Sequence, residues 1–574
     1  MHAELPTYDF ATMTDVILAF LDGSRSTSAS RVILTRERAE RAMDHVATAR
    51  AALRVAGGLR ERGIGAGDIV FIALPSREDY LVPFCGAVLA GCLPCCVPAP
   101  GEDMPAPELS NHVFAAMESL TPKALIAVPA LAESLQRDPV LAAIAMSVDQ
   151  LCEAAPLDRN SVHRGEPDDL HHLQLTSGST GRPKAAALTH RNVLSNIYLT
   201  AQAGKADLTK ECGVIWLPLF HDMGLIALLS AFVHDVSIVL QPPEDFIRNP
   251  LGWLKNISRF GGTSSAAPNF ALAYCVRRFR PELMHGVDLS GFRALVVGAE
   301  RVHFETVRDF VDTFGPYGFT GDMIYPCYGS AELTLAITVP DGRHTGTIGQ
   351  HVYCDTVDAT AVDEHRAPTD PVLSLGPPLP STVIEVRDEY GNALPEGGVG
   401  HIHVKSVCLM RGYYGDPERT ALVMRDGFYA TGDLGYLRDG ELYVLGRIKE
   451  LIILRGRNYY PHEFEECIAR HPHVDIGRVA AFGVADAKLG SERLVVAVEP
   501  EDYRNLASLR LELQELLRTE FGFGASEICF VSRGLIPRTT SRKIQRVECA
   551  RSYTDGSLPR IEVALPAETR NALV

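Results

Sequence analysis

In LTSGSTGRPKAAALTH, which runs from Leu175 to His190, the hydroxyl residues Thr176, Ser177, Ser179 and Thr180 crowd together with Gly178, Gly181 and Lys184. Small residues let a backbone curl until several N–H groups face inward, hydroxyls add donors, and the lysine adds a positive charge. Such a loop suits a polyphosphate. It is not the GxxxxGK[ST] loop, because no Ser or Thr follows Lys184. A flexible Ser/Gly linker is the competing reading, yet the stretch lies between a strand signal, HLQL, and a helix signal, THRNVLSNIYL. Linkers rarely occupy that position.

A phosphate loop needs a rigid frame, and the surrounding sequence predicts one. Apolar runs such as DIVFIALP (Asp68 to Pro75) and ALIAVP alternate with amphipathic stretches such as Ala42 to Arg60, the pattern of α/β architecture with largely parallel sheets. The uncharged segment LVPFCGAVLAGCLPCCVPAP, Leu81 to Pro100, imitates a membrane span, but its four prolines break it into a short buried helix, a glycine turn and a core strand. Cys92, Cys95 and Cys96 within it lack a second pair at zinc-like spacing and are expected to be core thiols. From about residue 345 to 375 the pattern weakens into an irregular insertion. After it, STVIEVRDEYGNALPEGGVGHIHVKS alternates at period two around a turn, which predicts a β-rich subdomain.

At 574 residues the chain exceeds what one core supports, so more than one domain is expected. Its formal charge of −16 excludes the overall basic surface that nucleic acid or an anionic membrane requires. The acidic excess lies in the first part: from Gly446 onward, 19 Lys+Arg face 18 Asp+Glu. Late basic residues, Arg533, Arg538, Arg542, Lys543, Arg546 and Arg551, are expected mainly to form a solvated face. The 13 scattered cysteines and an opening MHAELPTYDF without a leader pattern point to a reducing cytoplasm.

The loop at Thr176 resembles the phosphate-binding motif of the acyl-adenylate-forming superfamily, which includes acyl-CoA synthetases, peptide-synthetase adenylation domains and luciferases. Later motifs of that superfamily follow in order: YGSAE (Tyr328 to Glu332) for adenine and magnesium, TGDLG (Thr431 to Gly435) for ribose, GRIKELI (Gly446 to Ile452) for the hinge, and RTTSRKIQR (Arg538 to Arg546) around a catalytic lysine. WLPLFHDMGLI, APNFA, YPCYGSAELT and RGRNYYP are similar to the fatty acyl-AMP ligases more than to the CoA-forming branch, and those ligases also carry an extra segment near the irregular stretch.

The resemblance implies a large N-terminal adenylate-forming domain of αβ subdomains over residues 1–445, with the insertion at about 345–375 and the β-rich subdomain at about 376–445. A hinge at 446–450 centred on Lys449 and a small mobile α+β lid over 451–574 follow. It implies that ATP and Mg²⁺ are used. Lys543 bridges the acid and the α-phosphate. Thr176, Ser177, Gly178, Ser179, Thr180, Gly181 and Lys184 hold the β- and γ-phosphates, and Glu332 helps bind magnesium. Tyr328 and Gly329, with Gly298, Ala299 and Glu300, surround adenine. Asp433, expected on a glycine-flanked turn, and Arg447 hold the ribose. His221, Met223 and Gly224 border the acyl pocket, with His221 also a catalytic candidate.

The expected reaction is activation of a medium- or long-chain fatty acid as acyl-AMP, followed by transfer to the phosphopantetheine thiol of an acyl carrier protein supplied in trans. Neither nucleic acid nor stable membrane insertion is expected. Two alternatives stay open: an acyl-CoA synthetase, and an adenylate-binding pseudoenzyme suggested by Ala185 and Arg542, which stand where the family commonly has glycine.

Overall fold

The computed structural model describes residues 9–25, 30–36, 39–100, 109–176, 183–340, 354–355, 372–454, 457–475, 477–486, 491–539 and 543–563. The alternating apolar runs assemble into two mainly parallel sheets. In the larger, the spatial order is Ile324–Pro326, Ala294–Val297, Ser264–Ala267, Cys212–Ile215, Ser237–Leu240, Arg31–Arg36 and Ala39–Asp44. Only the last two, a hairpin, pair antiparallel. The smaller sheet runs Leu93–Cys96, Ile69–Ala73, Ala124–Ala127, Ala145–Ser147 and is parallel throughout. Parallel sheets are covered on both faces, so every residue of Ile69–Ala73 is buried and none alternates outward.

The Leu81 to Pro100 segment folds as expected. A wholly buried helix, Leu81–Leu89, is followed by Gly91 at φ +79° and the strand Leu93–Cys96. Burial pushes the Cys92 and Cys96 thiols up to about 12, which leaves them packing groups. Among the described residues no helix is long and apolar enough to cross a membrane. The helix expected from Ala42 begins later, at His45, where the Asp44 side chain caps it by accepting from the Ala47 N–H at 2.6 Å. The preceding residues pair as the edge strand Ala39–Asp44.

The period-two stretch forms the antiparallel pair Thr382–Arg387 and Gly400–Ser406, which Phe428–Arg438 and Glu441–Arg447 extend. Most of the expected insertion, from 345 to 371 apart from the short strand Cys354–Asp355, lies outside the described residues. Beyond it, Val479–Asp486, Ser491–Val498, Glu527–Val531 and Arg560–Ile561 form a last sheet, with the helices Pro461–Ala469, Leu506–Phe521 and Arg546–Thr554 in the same region. The buried apolar residues divide accordingly: the clusters built from residues 13 to 445 share no buried member with those built from 452 to 558. Of the late basic residues described, Arg533 and Arg551 are exposed as expected, whereas Arg538, Lys543 and Arg546 are partly buried. Arg546 reaches Glu450 and Glu465, each at 2.7 Å, and Arg538 donates to the Gly477 carbonyl at 2.5 Å.

Candidate active site

A cleft of 3210 Å³ runs between the two groups of cores, and Lys184, His221, Tyr328, Asp433 and Lys543 all line it. One correction concerns the phosphate loop. Lys184–Thr189 is itself a strand, paired antiparallel with Leu170–Thr176 so that Thr176 faces Lys184 across the hairpin. A strand therefore stands between the loop and the expected helix, which follows as His190–Ala203. Ser177, Gly178, Ser179, Thr180 and Gly181 lie outside the described residues, as does Arg542. Ala185 lies buried in the regular strand, opposite Leu175, without a left-handed backbone that would call for glycine.

The third strand of that small sheet is Gly412–Tyr413. It brings the Tyr413 ring beneath Lys184, whose Nζ lies 4.8 Å from the ring centre. The Tyr413 hydroxyl in turn donates to Glu332 Oε1 at 2.8 Å. Burial holds the Lys184 ammonium below the ordinary lysine range, with the Glu332 charge opposing that shift. Glu332, only 9% exposed, is presented by a sharp reversal: Leu335 N donates to Leu333 O at 2.8 Å across Thr334, which adopts φ +69°. A β-branched residue at positive φ is strained, and the buried Thr334 hydroxyl anchors it by donating to the Cys408 carbonyl at 2.9 Å. Gly329 is required by the same reversal, since a Cβ there would lie 1.9 Å from the Leu335 carbonyl oxygen.

Asp433 is not on a turn. It lies within the strand Phe428–Arg438, at an irregularity where Gly432 takes φ +79° and pairing with Glu441–Arg447 shifts between Leu434 and Gly435. The register sets Arg447 directly opposite, with its Nε 3.1 Å from Asp433 Oδ1. The Tyr328 hydroxyl donates to the other oxygen at 2.5 Å. Asp433 is 7% exposed, and burial raises its carboxyl above the ordinary range against the opposing pull of Arg447 and Tyr328. Each carboxylate oxygen retains a further lone pair for a sugar hydroxyl. Ala299, at φ +67°, forms the facing loop beside Gly298, and Glu300 Oε1 accepts from the Phe270 N–H at 2.7 Å.

At the other end of the cleft the helix Asp222–His234 begins, with His221 as its N-cap. Gly224 lets the first turn approach the preceding backbone, because a Cβ there would come within 2.3 Å of the Pro218 carbonyl oxygen. The His221 ring leans on Phe220, and Met223 is buried. Lys543 enters this region just ahead of the helix Arg546–Thr554, held by reciprocal bonds with Thr539: Thr539 N donates to Lys543 O at 2.8 Å and Lys543 N to Thr539 Oγ1 at 3.0 Å. Burial depresses the Lys543 ammonium, and Asp222 is the largest opposing charge. Asp222 responds in kind: burial raises its carboxyl while Lys543 lowers it. Both residues line the cleft.

Two contacts close the cleft from outside. Arg277, at the end of the helix Asn269–Arg278, pairs with both Asp475 and Glu501, and His303 Nδ1 lies 2.6 Å from Glu466 Oε1. Lys449 is exposed on the short 3-10 turn Ile448–Glu450, beyond Arg447.

Every expected site residue that the structure describes lines this cleft, Lys449 included, except Gly224, which instead sets the close approach of the helix's first turn. The sequence reading missed Asp222, Tyr413 and Arg277. Asp222 had a signal, an acid beside His221 in an apolar run; Tyr413 and Arg277 had none. Chemically, the cleft offers cations from opposite sides, an ionisable acceptor for a sugar, and a buried carboxylate near the phosphate hairpin. Such an arrangement can bring an anionic acid to a nucleotide triphosphate by offsetting their repulsion.

Comparison with known proteins agrees. The AMP-binding enzyme family matches residues 26–414. The chain is 32% identical over 535 residues to the long-chain-fatty-acid–AMP ligase FadD26 of Mycobacterium bovis, covering 87% of this chain and 89% of the relative. It is 33% identical over 429 residues to the medium-chain-fatty-acid–[acyl-carrier-protein] ligase JamA of Moorena producens, with 70% and 71% covered. A solved structure from a study of fatty acyl-adenylate ligases of E. coli and L. pneumophila superposes with a TM-score of 0.85 at 29% identity, covering 96% of this chain and 98% of that one. The chain belongs to the AMP-binding enzymes and, among them, to the adenylate-forming fatty acyl-AMP ligases.

Proposed function

We propose that the enzyme activates a medium- or long-chain fatty acid with ATP and then passes the acyl group to the phosphopantetheine thiol of an acyl carrier protein. In the first step a carboxylate oxygen attacks the α-phosphorus, a P–O bond to the β-phosphate breaks, and pyrophosphate leaves. In the second the thiolate sulfur attacks the acyl carbon, and AMP departs with the carboxyl oxygen it gained. The convergence of Lys543 and Asp222 from separate lobes on one cleft carries this reading. Lys543 would neutralise the acid and α-phosphate as they meet, Lys184 and the hairpin loop would receive the departing diphosphate, and Asp433 with Arg447 would hold the ribose. Tyr328, Gly298 and Ala299 would border the adenine, and His221, Met223 and Gly224 the acyl entrance.

The donor set fits Mg²⁺ carried with the nucleotide. Among the described residues no group of three metal-ligating side chains exists, and Glu332 offers the single carboxylate that phosphate-bound magnesium commonly needs. When bound, the ion would neutralise charge developing on the phosphates. We further place the division into a large domain and a lid at 446–450, with Lys449 in the pivot, because the cores separate there. A reducing cytoplasm accords with the free thiols of the described cysteines.

The test is a panel of fatty acids with ATP and magnesium, measuring pyrophosphate exchange and then acyl transfer to a holo carrier protein or to CoA. Acid-dependent exchange with transfer preferring the carrier protein is expected. Equal transfer to CoA would replace the acceptor, and no exchange with any acid would refute the activity.

A further inference from the structure

The acyl end of the cleft is not uniformly apolar. One face of the helix Asp222–His234 lines it, through Met223, Ala227, Ser230 and His234, at the spacing of three to four residues that keeps side chains on one side of a helix. Thr200, from the helix His190–Ala203, lines it too. From Met223, beside the reacting groups, to His234 the helix rises about 16 Å. The near part is built of methionine and alanine. The far part carries hydroxyls and an imidazole.

Two of these far groups lack partners. Thr200 Oγ1 and His234 Nε2 are shielded from solvent, yet neither has a hydrogen-bond partner among the described residues. A helical threonine ordinarily bonds back to the carbonyl four residues earlier, so an unengaged hydroxyl here is unusual. The His234 ring is held in place: Tyr198 packs edge-on against it at 5.2 Å, and the Ile197 carbonyl bonds to it. Burial pushes its pKa down to about 4, so at neutral pH the ring is uncharged and keeps one nitrogen as an acceptor. A methylene chain laid against these groups would leave both unsatisfied, which disfavours a plain hydrocarbon tail.

Resting on the proposed acid activation, we infer that the far end of the channel recognises an oxygen on the acyl chain, so that the preferred substrate is a fatty acid bearing a hydroxyl group well removed from its carboxylate. The hydroxyl donates to His234 Nε2 and accepts from Thr200 Oγ1. Ser230 lies on the same face as a further polar neighbour. Sites that hydrogen-bond a substrate hydroxyl discriminate strongly against the analogue without it, because their own polar groups are otherwise left unpaired.

The experiment uses the full-length enzyme and matched acids of about eight to sixteen carbons, a series spanning the roughly 16 Å of helix. Each is tested unsubstituted and with a terminal hydroxyl, by pyrophosphate exchange. At the best length the hydroxy acid should exceed its plain partner in kcat/KM by about tenfold, and Thr200→Val and His234→Leu should each remove most of that preference. Equal kcat/KM within every pair would overturn the inference while leaving fatty-acid activation intact. So would an unchanged preference in both variants, provided thermal melting shows them folded. Exchange with no acid of either series would instead sink the function on which the inference rests. The wild-type comparison needs no variant, so poor folding of a substituted protein does not shelter the idea.

Discussion

Lys543 is a cation that burial discourages and a nearby acid sustains. In the proposed reaction, replacing it with alanine removes a preorganised charge from the point where two anions meet, and loss of one such group costs roughly 10²–10³ in rate. Lys543→Ala should therefore abolish pyrophosphate exchange while calorimetry shows ATP binding largely retained; unchanged exchange would contradict the role. The depressed ammonium also sets a pH limit. The group is charged below its lowered pKa and loses its proton as pH rises through it. The alkaline limb of kcat/KM for ATP, which reports the free enzyme, should thus lie below the ordinary lysine range. Asp222 makes the same site legible from the other side, since its carboxyl is raised by burial and restrained by Lys543.

Secondary-structure elements position these groups through close backbone approach. Gly329 precedes the reversal that carries Glu332, and Gly329→Ala would force its new Cβ into the Leu335 carbonyl. A cost of about 3 kcal/mol is expected, read as a lower first transition in thermal unfolding with impaired adenylation. The strand Leu170–Thr176 that leads to the phosphate loop has its own sensitivity. At its base His171 and His172 are buried with Nδ1 atoms 2.8 Å apart, and His190 packs beside His171. Burial depresses His172 to about 3 and His190 to about 4 from an ordinary 6.5. The unfolded chain therefore binds protons that the folded one refuses, and stability present above pH 6.5 is lost as pH falls toward 4. The melting temperature should drop over that window, and His190→Gln should flatten the dependence; a flat wild-type profile would show that the cluster is not strained by protonation.

At the scale of the whole molecule, Arg277 joins the two groups of cores because it engages Asp475 and Glu501 together. A partly exposed ion pair contributes at most about 1 kcal/mol, too little to decide folding but enough to shift the proposed lid between orientations. Arg277→Ala should slow adenylation by about fivefold. Transfer from preformed acyl-AMP to the carrier should be unaffected or faster, because that step benefits from a lid free to move. Equal losses in both half-reactions would show that the arginine supports folding alone.

Much of this enzyme could be read before folding was considered. The parallel-sheet architecture followed from the apolar runs at Asp68 and Ala124, the break in the Leu81 to Pro100 segment from its prolines, and the expectation that Lys184, Glu332, Asp433, Arg447 and Lys543 share one cleft from ordered motifs. These features are local: a few adjacent residues carry the turn, the period or the charge. Folding alone paired the strands Leu170–Thr176 and Lys184–Thr189, put Asp433 inside a strand opposite Arg447, and set Tyr413 between Lys184 and Glu332. It also brought Asp222 to Lys543 and Arg277 to the lid. Such pairings join residues tens to hundreds of positions apart. Their distances depend on strand register and on how the lobes close, quantities that no short window of residue types contains.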